Sequence, residues 1–124
     1  MITFTQLSQL GRLGNQLFQY AALKSIGLKR GYEIKIPNPA EIHWQGQDCL
    51  LNHFNLECEF LEPADLPKIH GSFMEPTVNR FYPVVFNISD NTDLYGFFQN
   101  YRYFKDIETQ IKKEIELSKE ITDE

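Results

Sequence analysis

The sequence predicts an α/β fold, a parallel sheet flanked by helices, and three observations carry that expectation. Residues 2–36 read as strand, glycine loop, amphipathic helix and strand, the βαβ run that implies a parallel pair and a right-handed crossover. Residues 93–99 contain the apolar run Leu94-Tyr95-Gly96-Phe97-Phe98, expected of a buried strand. A helical stripe then follows toward the end of the chain. The 124 residues suit a single domain, residues 1–124.

Residues 2–7 alternate loosely between apolar and polar, which predicts the first strand. From Asn15 to Arg30 the pattern turns helical: Phe18, Ala21, Ala22 and Ile26 share a face, with Leu17 and Leu28 beside it. Glycine costs a helix interior about 1 kcal/mol against alanine, so Gly27 marks close approach of another element. Lys29 and Arg30 complement the negative end of the helix, and Gly31 stands where a left-handed capping residue is needed. Residues 32–36 give the second strand.

Pro37-Asn38-Pro39 breaks the chain, and residues 37–92 read as short strands and long loops punctuated by prolines. His43, His53 and His70 lie here at separations that match no helical metal pair, so no metal is expected. Trp44, Phe73, Phe81, Tyr82 and Phe86 form either core or a sugar-stacking surface. The carboxylates Asp48, Glu62, Asp65 and Glu75 read as surface charge, and none stands out as a general base. Residues 101–119 form the last helix, with a break near Asp106, a candidate N-cap. Phe104, Ile107, Ile111, Ile115 and Ser118 trace its stripe, and Glu108 and Lys112 form an i,i+4 pair. The carboxylates at 114, 116, 120, 123 and 124 read as a solvated face and tail.

The composition excludes several classes of function. A net charge of −5 argues against a general nucleic-acid surface, which needs a basic footprint, while leaving room for one local anion site. Mean hydropathy is −0.39 and no apolar run reaches the length of a membrane span. The first residues lack the basic start and apolar stretch of a secretory signal. Cys49 and Cys58 have no zinc-ligand spacing and read as free thiols in a reducing compartment.

The loop before the first helix carries the most chemistry. A strand–glycine loop–helix junction turns backbone N–H groups toward whatever binds there, and the helix N-terminus favours an anion. Gly11 and Gly14 let the backbone turn tightly, and Arg12 supplies a positive fork suited to phosphate oxygens. Asn15 and Gln16 offer donors and acceptors for phosphate, ribose or sugar hydroxyls. The spacing is neither the dinucleotide fingerprint nor a P-loop. It leaves a second reading open, an ordinary turn with Asn15 as helix N-cap. Gln99 ends the strand over residues 93–99, and ligands of such sheets meet the carboxyl ends of strands. Gln99 therefore either faces the same crevice or caps the next helix.

Two strings add a family resemblance. Gly11-Arg12-Leu13-Gly14-Asn15-Gln16-Leu17-Phe18-Gln19-Tyr20-Ala21 resembles the N-terminal signature of the bacterial alpha-1,2-fucosyltransferases, glycosyltransferase family 11. Leu94-Tyr95-Gly96-Phe97-Phe98-Gln99, running on to Tyr103-Phe104-Lys105-Asp106, looks like that family's Gly-aromatic-Phe-Gln strand and its following helix entry. Order and separation of the two strings also fit, while residues 37–92 match only loosely.

The resemblance implies the Rossmann-like N-terminal half of a GT-B glycosyltransferase. It implies inverting transfer of fucose from GDP-fucose to a galactoside hydroxyl, with a galactose-containing glycan as acceptor and no required metal. Gly11, Arg12, Leu13, Gly14, Asn15, Gln16 and Gln99 are its substrate-binding candidates; it names no catalytic residue. The family's donor signature, His-x-Arg-Arg-Gly-Asp, lies in its C-terminal half, and its arginine neutralises the departing diphosphate. The 124 residues contain no such string, so they are expected to be an inactive half whose donor-binding partner is absent or separately encoded. The signature's position near Met1 fits a cytoplasmic protein of prokaryotic or viral origin. The alternative is a non-catalytic domain that binds a sugar nucleotide or a protein partner.

Overall fold

A computed structural model describes residues 1–7, 13–38, 43–44, 47–48, 56–77 and 80–114, giving backbone only at 13–15, 43–44 and 47–48. In chain order the elements are β1 (Ile2–Thr3), α1 (Leu13–Arg30), β2 (Ile34–Ile36), β3 (His43–Trp44), β4 (Gln47–Asp48), β5 (Glu59–Phe60), β6 (Gly71–Met74), β7 (Thr92–Tyr95) and α2 (Glu108–Glu114). Short 3-10 turns occupy Pro63–Lys68, Pro83–Asn87, Tyr101–Tyr103 and Lys105–Ile107.

Five strands form one parallel sheet in the order β5-β2-β1-β7-β6, and β3 and β4 pair antiparallel by themselves. The α/β class with a parallel sheet and helices is therefore observed. The classical doubly wound sheet adds its fourth strand beside the first. Here the chain runs from β5 to the far edge, lays down β6, and returns to place β7 against β1.

Register divides the sheet into two chemically different faces. Glu59, Lys35, Thr3, Asp93 and Ser72 are neighbours in one row across all five strands. The adjacent positions are apolar: Ile36 beside Phe60, Ile2 beside Ile34, Leu94 beside Phe73. Most parallel sheets are apolar on both faces; here one face is polar, and α1 packs against β1 and β2. On the polar face, the turn Pro63–Lys68 sets buried Asp65 against Lys35 at 3.1 Å. Two interactions hold the Asp65 carboxyl below its usual range, the Glu62 N–H first and Lys35 second, and Asp65 in turn raises Lys35.

α1 begins two residues earlier than expected and ends where the glycine signal puts it. Gly31 adopts φ +71°, and Tyr32 N–H returns to the Gly27 carbonyl at 3.0 Å, closing a Schellman cap. Gly27 lies so close to Ile34 that a Cβ there would collide with the Ile34 side chain, which confirms the expected close approach. Tyr20, Ala21, Ala22, Leu23 and Ile26 enter the core, but Leu28, expected beside that face, is 56% exposed. It sits about 200° around the helix from Ile26, on the solvent side.

Three expected elements change shape. The strand expected over residues 2–7 stops at Thr3, because the chain turns there and Leu7 N–H bonds the Phe4 carbonyl. The strand over 93–99 stops at Tyr95, because Gly96 and Phe98 take φ of +144° and +51°. The helix over 101–119 is two 3-10 turns followed by α2, with residues 115–119 outside the described residues. Asp106 is not a cap; it pairs with Lys29 of α1 at 2.7 Å. The Glu108–Lys112 pair forms at 3.1 Å. Phe104, Ile107 and Ile111 join the core as expected.

Glu114 corrects the expectation of a solvated carboxylate face. It is fully buried between α1, α2 and the chain entering β5. Its carboxylate accepts the Tyr20 hydroxyl, the Glu57 N–H at 2.6 Å and Gln110 Nε2 at 2.8 Å, with Lys24 Nζ at 3.8 Å. Burial, reinforced by Glu114, raises the Tyr20 phenol far above its ordinary value. The other four carboxylates of that set lie outside the described residues.

Candidate functional site

The two strings singled out in the sequence meet at the carboxyl ends of neighbouring strands. β1 leads toward the glycine loop, and β7, paired with it in parallel, leads into the Gly96–Asn100 turn. Gln19 of α1 donates through Nε2 to the Gly96 carbonyl at 3.1 Å, a contact between residues 77 apart in the chain. Gln19 Oε1 is buried and finds no partner among the described residues.

Each exit is fastened by a carboxylate from the neighbouring strand. Past β1, Thr5 donates its N–H to Asp93 Oδ1 at 2.8 Å and its hydroxyl to Asp93 Oδ2 at 2.6 Å. Past β7, Phe98 donates its N–H to Glu75 Oε1 at 3.0 Å. The Tyr103 hydroxyl lies 3.1 Å from Glu75 Oε2 and 3.1 Å from the Arg80 carbonyl, and accepts the Tyr82 N–H at 3.0 Å. Burial first, and then the Glu75 charge, raises the Tyr103 phenol. The Phe98 ring is buried edge-on to Phe4 at 5.8 Å and Tyr103 at 5.1 Å.

Gly11 and Arg12 lie outside the described residues, and Leu13, Gly14 and Asn15 are described as backbone in the first turn of α1. Asn15 is thus inside the helix, which removes the reading of it as N-cap. Gln16 is nearly buried and Gln99 half-buried; both make further interactions in the folded chain. The cap of the next turn is Asn100, whose Oδ1 accepts the Arg102 N–H at 3.0 Å, so Gln99 is not needed for it.

Among the described residues, five of the seven exposed large apolar side chains lie at this same edge, Leu28 and Val84 being the other two. Phe60, Met74 and Tyr95 are the last residues of β5, β6 and β7, and Leu66 and Tyr101 follow in the adjoining turns. Met74, paired in register with Tyr95, is 67% exposed. A cavity of about 340 Å³ opens beside Leu66, lined also by Thr5, Asn38, Leu61 and Glu62.

Other expected candidates resolve differently. Asp65 and Glu75 are buried and committed to protein partners, not surface charge. Asp65 had a local signal, the Glu62–Asp65 capping box of its turn, whereas Glu75 is held by Phe98 and Tyr103 far away in sequence. Phe73, Phe81 and Phe86 pack on the core. Cys58 is a half-buried free thiol whose pKa burial pushes up to about 12. His70 is exposed, and no His, Cys, Asp and Glu group able to hold a metal occurs among the described residues. Cys49 and His53 lie outside the described residues, as do the side chains of His43, Trp44 and Asp48. No helix among the described residues is long and apolar enough to cross a membrane.

Compared with protein-family models, curated proteins and solved structures, the chain matches none.

Proposed function

We propose that these 124 residues are an alpha-1,2-fucosyltransferase-like domain, Rossmann-like and of GT-B type, that supplies one wall of a cleft for GDP-fucose and a galactoside acceptor. The supporting observation is the Gln19–Gly96 hydrogen bond, which joins the two strings that resemble the family at one edge of the sheet. Sequence similarity alone does not require residues so far apart to touch. In this reading Arg12 reaches the donor's diphosphate or fucose, the helix N-terminus adds its positive end, and Asn15, Gln16 and Gln99 address hydroxyls. The exposed apolar edge from Phe60 to Tyr101 is the surface a second, donor-binding half covers. The protein works in the cytoplasm without a metal, with cationic side chains carrying the electrostatic load.

The reading has a direct assay. The 124 residues alone give no fucose transfer from GDP-fucose, and joined to a C-terminal half bearing His-x-Arg-Arg-Gly-Asp they transfer it. In the joined protein, Arg12→Ala lowers turnover by about ten- to a hundredfold, the worth of one charge-assisted hydrogen bond, with the melting temperature nearly unchanged. Transfer at an ordinary rate by the 124 residues alone would contradict it, as would a melting drop of several degrees with turnover per folded molecule intact.

A further inference from the structure

The geometry points to Asp93 and Glu75 as a matched pair of positioning residues that fix the direction in which the chain leaves β1 and β7, beside the candidate site. Their arrangement is the same on each strand. Asp93, on β7, sits beside Thr3 of β1 and reaches forward to Thr5, just past the end of β1. Glu75, directly after β6, reaches across to Phe98, just past the end of β7. In both cases a carboxylate of the next strand captures a backbone N–H that has left the ladder, and a charge-assisted hydrogen bond fixes the direction of exit. Each clamp also takes a hydroxyl, from Thr5 in one and Tyr103 in the other.

The second exit needs such a hold. Phe98 has φ +51°, a left-handed conformation uncommon outside glycine, and its N–H and buried ring fix it there. Gln99 is the next residue, so its placement follows from the Glu75 contact. Thr5, held by Asp93, lines the small cavity at the same edge. Asp93 and Glu75 each hold two protein donors, one on each carboxylate oxygen, and act through the backbone they fix. For ligand binding this inference rests on the function proposed above; for the backbone exits it does not.

The chemistry of the clamps separates positioning from a direct role of charge. Asp93→Asn keeps an acceptor for the Thr5 N–H, and its new amide can donate to the Thr5 hydroxyl, which also accepts. Glu75→Gln keeps an acceptor for the Phe98 N–H and can donate to Tyr103, whose proton then turns to the Arg80 carbonyl. Alanine at either position removes both contacts. The test measures amide hydrogen exchange at Thr5 and Phe98, with Ala22 of α1 as internal standard, and NMR titration with GDP-fucose.

Alanine at 93 is expected to speed exchange at Thr5, and alanine at 75 exchange at Phe98, by about tenfold or more with Ala22 unchanged. Affinity for GDP-fucose falls by a similar factor in the alanine variants and stays within about threefold in Asp93→Asn and Glu75→Gln. Alanine variants that keep both protection and affinity would overturn the inference. Amide variants as damaged as alanine would also overturn it, since charge itself would then be required. If alanine unfolds the chain, exchange in the amide variants decides: retained protection at Thr5 and Phe98 supports the clamps, and its loss refutes them. If the parent binds no GDP-fucose, the proposed function fails, and exchange alone decides whether the clamps fix the exits.

Discussion

Gly96→Ala will destabilise the chain by about 3–5 kcal/mol, a large part of the stability of a domain this size. Two independent terms add. A Cβ at Gly96 would lie 2.6 Å from the Glu75 Cβ, an atom fixed to its own backbone, and 3.2 Å from the Phe98 ring. The backbone there also takes φ +144°, where side-chain-bearing residues are strained. Neither neighbour can yield, because Glu75 and Phe98 are buried and hydrogen-bonded to each other. Denaturant unfolding followed by circular dichroism measures the loss; a change below about 1 kcal/mol would show that the turn relaxes in a way the structure does not suggest.

Glu114→Ala carries the second large effect, a loss of about 3 kcal/mol. The substitution leaves the Tyr20 hydroxyl and the Glu57 N–H without their acceptor, beside a lysine whose side chain is 12% exposed. The control is six residues earlier on the same helix. Among the described residues Glu108 pairs with Lys112 alone, on the surface, so Glu108→Ala should cost no more than about 0.5 kcal/mol. Equal losses at the two positions would mean that Glu114 is solvated in solution and that the buried network does not form.

The contrast between these glutamates shows what local sequence conveys and what it does not. Both sit in a stretch of alternating charge, and pattern alone assigns both to water. Pairing with distant groups, Tyr20 94 residues away and the Glu57 N–H, buries one of them. The same limit governs the strand ends. Residues 2–7 alternate as a strand should, yet the chain turns after Thr3, with Thr5 held by the Asp93 carboxylate of the neighbouring strand. The opening βαβ unit was legible because its signals are local: a helical stripe, a small residue where strand meets helix, and a glycine past the last turn. Of the candidate site, Gly11–Gln16 and Gln99 were singled out through resemblance. The Gln19–Gly96 contact and the clamps by Asp93 and Glu75 depend on strand order, and local pattern does not specify that β7 lies between β1 and β6.

The central claim is that the carboxyl edge of β1 and β7 binds sugar and sugar nucleotide. An NMR titration of the isotope-labelled chain with GDP-fucose, and separately with a β-galactoside, tests it most directly. Saturable shifts concentrated at residues 11–16 and 96–99, reduced by Arg12→Ala for the nucleotide, are the expected result. No shift at millimolar ligand, or shifts confined to the opposite, amino edge around His70 and Asp90, would contradict it.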